Sequence, residues 1–165
     1  MTKVLISTVP FGYGNRYPIE LLERACVSYE INPFNKKLTE DDLAEMIVDI
    51  DVLIAGTEPI TKHVMKRAKK LKMISRVGIG LDSVDLSEAA KRGIVVSHTP
   101  EAPTPAVAEL TLGFMLTLIR SAHVSNSEMH NGKWHRYLGR RLSEVTIGII
   151  GLGRIGSMVL RHLHG

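Results

Sequence analysis

The stretch that most constrains this chain is Val145 to Gly156, VTIGIIGLGRIG. Val145, Ile147, Ile149 and Ile150 form a short apolar run, which reads as a fully buried parallel strand. Gly151, Gly153 and Gly156 follow in G-x-G-x-x-G spacing, and Ser157 to His164 reads as a helix. Gly151 permits a tight turn off the strand, Gly153 lets backbone approach a pyrophosphate, and Gly156 lets helix and strand pack closely. The helix N-terminus then offers free N–H groups to an anion. In this strand–turn–helix setting the motif predicts dinucleotide binding. The fingerprint also calls for an acidic residue about 20 residues further on, for the ribose. The sequence ends at Gly165, before that position.

Upstream, apolar runs alternate with helical patterns. Lys3 to Val9 reads as a strand, followed by a helix from Pro18 through Tyr29 and a strand near Glu30 to Phe34. Thr39, with Asp42 three residues on, caps the next helix. Asp51 to Gly56 is a third strand, and Thr61 caps a helix to Lys70. Leu71 to Val77 and Ile94 to Ser97 are further strands around a short helix from Leu86 to Arg92. Such alternation predicts a parallel sheet with helices on both faces, in a flavodoxin-like α/β domain. The Pro-rich stretch Thr99 to Pro105 marks the boundary, giving domains of residues 1–99 and 100–165. Beyond it, Ala106 to about Met129 reads as one long helix, and Asn131 to Leu142 as a polar connection holding the only tryptophan, Trp134.

In such sheets ligands collect beyond the carboxyl ends of the strands. The loops there are Val9 to Arg16, Thr57 to Ile60, Gly78 to Asp85 and His98 to Pro105. In Arg76-Val77-Gly78-Ile79-Gly80 the glycines either expose N–H groups as an anion-binding nest or simply make a tight turn.

Composition narrows the partners. A net charge of +4 invites nucleic acid, but the cations are dispersed or close a helix, as Lys66, Arg67, Lys69 and Lys70 do. No nucleic-acid motif accompanies them, so none is expected as a partner. Ala106 to Ile119 contains Glu109 and is too short to span a bilayer. With no signal peptide pattern at the start, no membrane partner and a cytoplasmic location are expected. Cys26, the single cysteine, excludes an internal disulfide and reads as a packing residue. No metal site is expected.

Four blocks, SRVGIGLDSVDL (Ser75 to Leu86), KRGIVVSHTP, APTPAVAELTLGFMLTLIR and GIIGLGRIG, together resemble the NAD-dependent D-2-hydroxyacid dehydrogenases, most closely the phosphoglycerate-dehydrogenase-like branch. The resemblance implies a flavodoxin-like substrate domain followed by the start of an NAD-binding Rossmann domain, with a cleft between them. It implies that Arg76, Val77 and Gly78 hold the substrate carboxylate, chiefly through the Val77 and Gly78 N–H groups. Ala106, Val107 and Glu109 would pass the nicotinamide end of NAD. Gly151, Gly153 and Gly156 would shape the turn, with Arg154 and Ile155 presenting N–H groups to the pyrophosphate. Asp82 and Asp85 look structural, and His98 stands where the family often has Asn.

The family's catalytic Arg and its His–Glu acid/base pair correspond to no residue here. His123, His130 and His135 read as surface residues, and no catalytic residue is assigned within the chain. The reaction implied is hydride transfer between NAD and C2 of a small D-2-hydroxy acid in the intact protein, with 3-phosphoglycerate one candidate. The 165-residue chain alone is expected to be inactive and to bind NAD poorly. A non-catalytic NAD(H)-binding regulator of the corepressor type is the alternative. A phospho-receiver is disfavoured, because Thr8-Val9-Pro10 and Gly56-Thr57 stand where it needs acids. The resemblance also implies a homodimer through residues 103–160, with Trp134 buried against the second chain.

Overall fold

The computed structural model describes residues 2–164. They form two compact units, Met1–Pro100 and Glu101–Gly165.

The first unit is a five-stranded parallel sheet, ordered β2-β1-β3-β4-β5. Its strands are β1 (Lys3–Ile6), β2 (Ser28–Ile31), β3 (Val52–Ala55), β4 (Met73–Arg76) and β5 (Val95–His98). Val4 pairs with both Tyr29 and Val52, and Leu53 with Ile74. Alternation along the strands sends side chains to two cores. Leu5, Leu53, Ala55 and Ile74 face a large cluster with Leu43, Ile47, Val64, Met65 and Ala89. Those last five come from α2 (Glu40–Met46) and its C-terminal cap, α3 (Lys62–Arg67) and α4 (Leu86–Lys91). Val4 and Ile6 point the other way, onto Ile19 of α1 (Tyr17–Arg24), with Val52 and Ile54 packed alongside. Central strands buried on both faces explain why their sequences read as continuous apolar runs.

The helix starts have local causes. Thr39 accepts the Asp42 N–H at 3.2 Å while the Asp42 carboxylate accepts the Thr39 N–H at 3.0 Å, a reciprocal capping box. Thr61 caps α3 through the His63 N–H, and Asp85 caps α4 through the Glu88 N–H at 2.9 Å. The α1 helix stops at Arg24, well short of the expected Tyr29, which lies in β2. Cys26 is exposed at φ +52° in the turn between them. It therefore makes no core contact, contrary to the expectation of packing: the early end of α1 takes it off the apolar face.

The second unit contains α5 (Thr104–Ile119), α6 (Ala122–His130), a 3-10 turn (Leu142–Glu144) and α7 (Arg154–His164). The single long helix expected from Ala106 to Met129 is two helices bent by 68°. Ser121, at φ +51° and ψ +32°, breaks it, since one left-handed residue ends the i to i−4 ladder. No single helix among the described residues is long and apolar enough to cross a membrane.

The expected strand at Val145 to Ile150 is not formed. Val145, Ile147 and Ile149 are half-buried while Thr146, Gly148 and Ile150 are exposed, so the side chains alternate as a strand's do. A ladder needs a neighbour, and among the described residues this segment has none. One face meets Leu160 and Leu163 of α7 around a shared cavity; the other is open, with Ile150 fully exposed.

Candidate functional site

At the carboxyl ends of β1, β3 and β4 the sheet opens into a cavity of about 300 Å³. Ser7, Thr8 and Val9 come from the first strand end, Gly56, Thr57 and Glu58 from the third, and Arg76, Val77 and Gly78 from the fourth. Lys37 completes the rim. The order β2-β1-β3 places the reversal of winding between β1 and β3, where doubly wound sheets hold ligands.

Arg76 is only 9 % exposed. Its Nη1 donates to Val77 O, while Nε is buried with no partner among the described residues. A buried guanidinium N–H without an acceptor is costly, and the side chain that carries it lines the cavity. Gly78 sits at φ +146°, and a Cβ there would collide with this guanidinium. The glycine is thus required both by its backbone conformation and by the arginine beside it.

The nest expected at residues 77–78 is closed in this structure. Val77 N–H donates to Ala55 O at 2.8 Å, prolonging the ladder between β3 and β4. Gly78 N–H donates to Thr99 Oγ1 at 2.9 Å and also approaches Arg76 O at 3.1 Å. Neither N–H is free, which leaves the Arg76 guanidinium as the cationic group of this loop. His98 does not face the cavity lining: its Nδ1 donates to Ile79 O at 2.8 Å and pins the loop. A carbonyl only accepts, which fixes the proton on Nδ1.

Sequence reasoning missed Glu58. It is 2 % exposed, and its Oε1 accepts the Gly56 N–H at 2.9 Å and the Ser7 hydroxyl. Two donors on one oxygen suit a carboxylate held in place. The loop Thr57 to Ile60 is visible in sequence as a strand-end loop, but nothing in its spacing marks Glu58 as buried.

The second unit carries the glycine turn. Gly151 has φ +91°, and a Cβ on Gly156 would run into Gly151 O and meet Ile149 Cγ2 at 3.4 Å. Gly153 has nothing within 4 Å of a built Cβ, so its surface is open to a ligand's approach. Arg154 and Ile155 begin α7, and their N–H groups are among those a helix leaves without intrahelical partners. The turn therefore fits a pyrophosphate. Ala106, Val107 and Glu109 are exposed on the first turns of α5, in the same unit, where the Arg154 side chain reaches Glu101 at 3.8 Å. His123, His130 and His135 are exposed, as expected.

The chain is similar to several known proteins. Over 128 residues the chain is 41 % identical to the D-3-phosphoglycerate dehydrogenase of Methanocaldococcus jannaschii, covering 75 % of the chain and 24 % of that protein. It is 36 % identical over 135 residues to the hydroxypyruvate reductase of Thermotoga maritima, covering 80 % and 44 %. The chain thus spans less than half the length of these curated relatives. Among solved structures, the NAD+-bound 3-phosphoglycerate dehydrogenase of Entamoeba histolytica superposes with a TM-score of 0.78 at 30 % identity, over 99 % of this chain and 50 % of that one. The TT0316 protein of Thermus thermophilus does so at 0.86 and 32 %, over 99 % and 53 %. Residues 4–157 match the family model for the catalytic domain of D-isomer specific 2-hydroxyacid dehydrogenases, and the chain belongs to that family.

Proposed function

We propose that the first unit is a substrate domain and the second the beginning of an NAD-binding domain. Together they would belong to an oxidoreductase that interconverts a small D-2-hydroxy acid and its 2-oxo acid. The observation that carries this reading is Arg76, whose side chain lines the cavity at the strand carboxyl ends and whose buried Nε has no partner among the described residues. Arg76 binds the substrate carboxylate, and Gly78 keeps that guanidinium in place by having no side chain. The Thr99 hydroxyl, which also lies 3.4 Å from Gly78 O, can rotate to release the Gly78 N–H as a second donor. The 151–156 turn cradles the pyrophosphate of NAD through the Arg154 and Ile155 N–H groups, and Ala106, Val107 and Glu109 line the nicotinamide end. When bound, NAD supplies the hydride acceptor for oxidation at C2.

No residue of this chain is assigned as the acid/base, so the 165-residue chain by itself is expected to be inactive. The proposal includes a homodimer through residues 103–160, supported by the exposure of Trp134 (82 %) and Leu138 (95 %). The test is kinetic. The full-length protein should oxidise NADH with a 2-oxo acid, and Arg76→Gln should raise KM for the acid at least about tenfold while leaving KM for NADH unchanged. Equal effects on both constants would refute the assignment of Arg76.

A further inference from the structure

The cavity holds a charge balance that the family assignment does not specify. Its ionisable lining groups are Lys37, Arg76 and Glu58, leaving one net positive charge. A phosphate, whose second ionisation near pH 6 leaves close to two charges at neutral pH, would bring more negative charge against Glu58 than a carboxylate alone.

Glu58 is also placed to read the rest of the ligand. Its Oε1 is taken by Ser7 and Gly56, which fixes the carboxylate. Oε2 accepts no hydrogen bond from the described residues, and a Cβ built on Gly56 would lie 2.8 Å from it. Gly56 therefore leaves the space that Oε2 occupies at the cavity wall. An ionised carboxylate accepts only, so the ligand group facing Oε2 must be a donor. A hydroxyl serves, whereas an ionised phosphate would oppose like charge in a partly desolvated site.

We infer that Glu58 is a specificity-determining residue that selects 2-hydroxy or 2-oxo acids ending in a neutral hydroxyl over those ending in a phosphate. Arg76 takes the carboxylate and Glu58 Oε2 accepts the distal hydroxyl. The inference rests on the cavity being the acid-binding site proposed above, and names the substrate class within it. Of the two activities carried by the relatives, it favours the one whose substrate bears no phosphate.

The experiment measures binding and turnover separately in the full-length protein. Calorimetric titration with D-glycerate and with 3-phospho-D-glycerate should give at least about tenfold tighter binding of D-glycerate. Glu58→Gln keeps the shape, removes the charge, and should cut that ratio to about threefold or less. Tighter binding of 3-phosphoglycerate by the wild type, binding of neither acid, or an unchanged ratio in the variant would overturn the inference. If Glu58→Gln fails to fold, as a thermal melt would show, the wild-type ratio decides alone. NADH turnover with hydroxypyruvate and its phosphate ester is followed in parallel. Absence of turnover with either, alongside a preserved binding preference, would refute the dehydrogenase reading and leave the role of Glu58 standing.

Discussion

The hydroxyl of Thr99 accepts the Gly78 N–H at 2.9 Å, tying the residue after β5 to the loop that follows β4. The same loop is held a second time by His98 on Ile79 O. Two tethers from β5 therefore set the position of Gly78, and through it the room left for Arg76.

A side chain at residue 78 should break this arrangement in a measurable way. Gly78→Val places a branched Cβ at φ +146° and against the Arg76 guanidinium. KM for the acid should rise more than about tenfold, with KM for NAD within about twofold of wild type. Steady-state kinetics on the full-length protein reads both constants.

The two glycines of the nucleotide turn should separate folding from binding. Gly156→Ala drives a methyl into Gly151 O and should lower the melting temperature. Gly153→Ala enters open space; it should leave the melt unchanged and weaken NAD binding, followed by quenching of NADH fluorescence.

Thr39→Ala removes one half of the α2 capping box. The expected loss is about 1 kcal/mol, read as a lower urea midpoint with an unchanged slope.

Asp51 predicts a pH dependence. The Lys72 ammonium hydrogen-bonds its carboxylate at 2.8 Å and the Lys3 N–H adds a bond at 3.0 Å, holding its pKa below the ordinary value. A depressed folded pKa contributes stability above the unfolded value of about 3.9, and that stability is lost as pH falls through the folded pKa. Asp51→Asn should therefore be less stable than wild type at pH 7, and the gap should close as acid protonates Asp51. Urea midpoints across the pH range check it.

The proposed dimer predicts that Trp134 emission is blue-shifted relative to free tryptophan, and that Trp134→Lys yields a monomer by light scattering. A wild-type monomer with solvent-like Trp134 emission would refute the interface.

The parts of the structure legible in sequence are those with local causes. Thr39 with Asp42, and Thr61, announce their helices because a cap is written within a few residues. The central strands β1 and β3 are legible because both faces are covered, so residues 4–6 and 52–55 read as continuous apolar runs. Val145 to Ile150 carries the same signal, but pairing belongs to a neighbour, and apolar content cannot supply one. The break at Ser121 has no Gly or Pro to mark it. Cys26 misleads because α1 ends sooner than its apolar spacing suggests. Glu58 is invisible for the opposite reason: its burial and its bond to Ser7 arise only when segments 51 residues apart converge.

The convergence of β1, β3 and β4 at the cavity also has a thermodynamic consequence. No single loop can present Ser7, Glu58 and Arg76 together; the paired strands must already exist. An acid bound there is therefore linked to the whole sheet, not to a locally mobile loop. At a concentration of one hundred times its Kd it would add about 2.7 kcal/mol to unfolding of the first unit. Hydrogen exchange should show that protection spread across all three strands, including amides remote from the ligand.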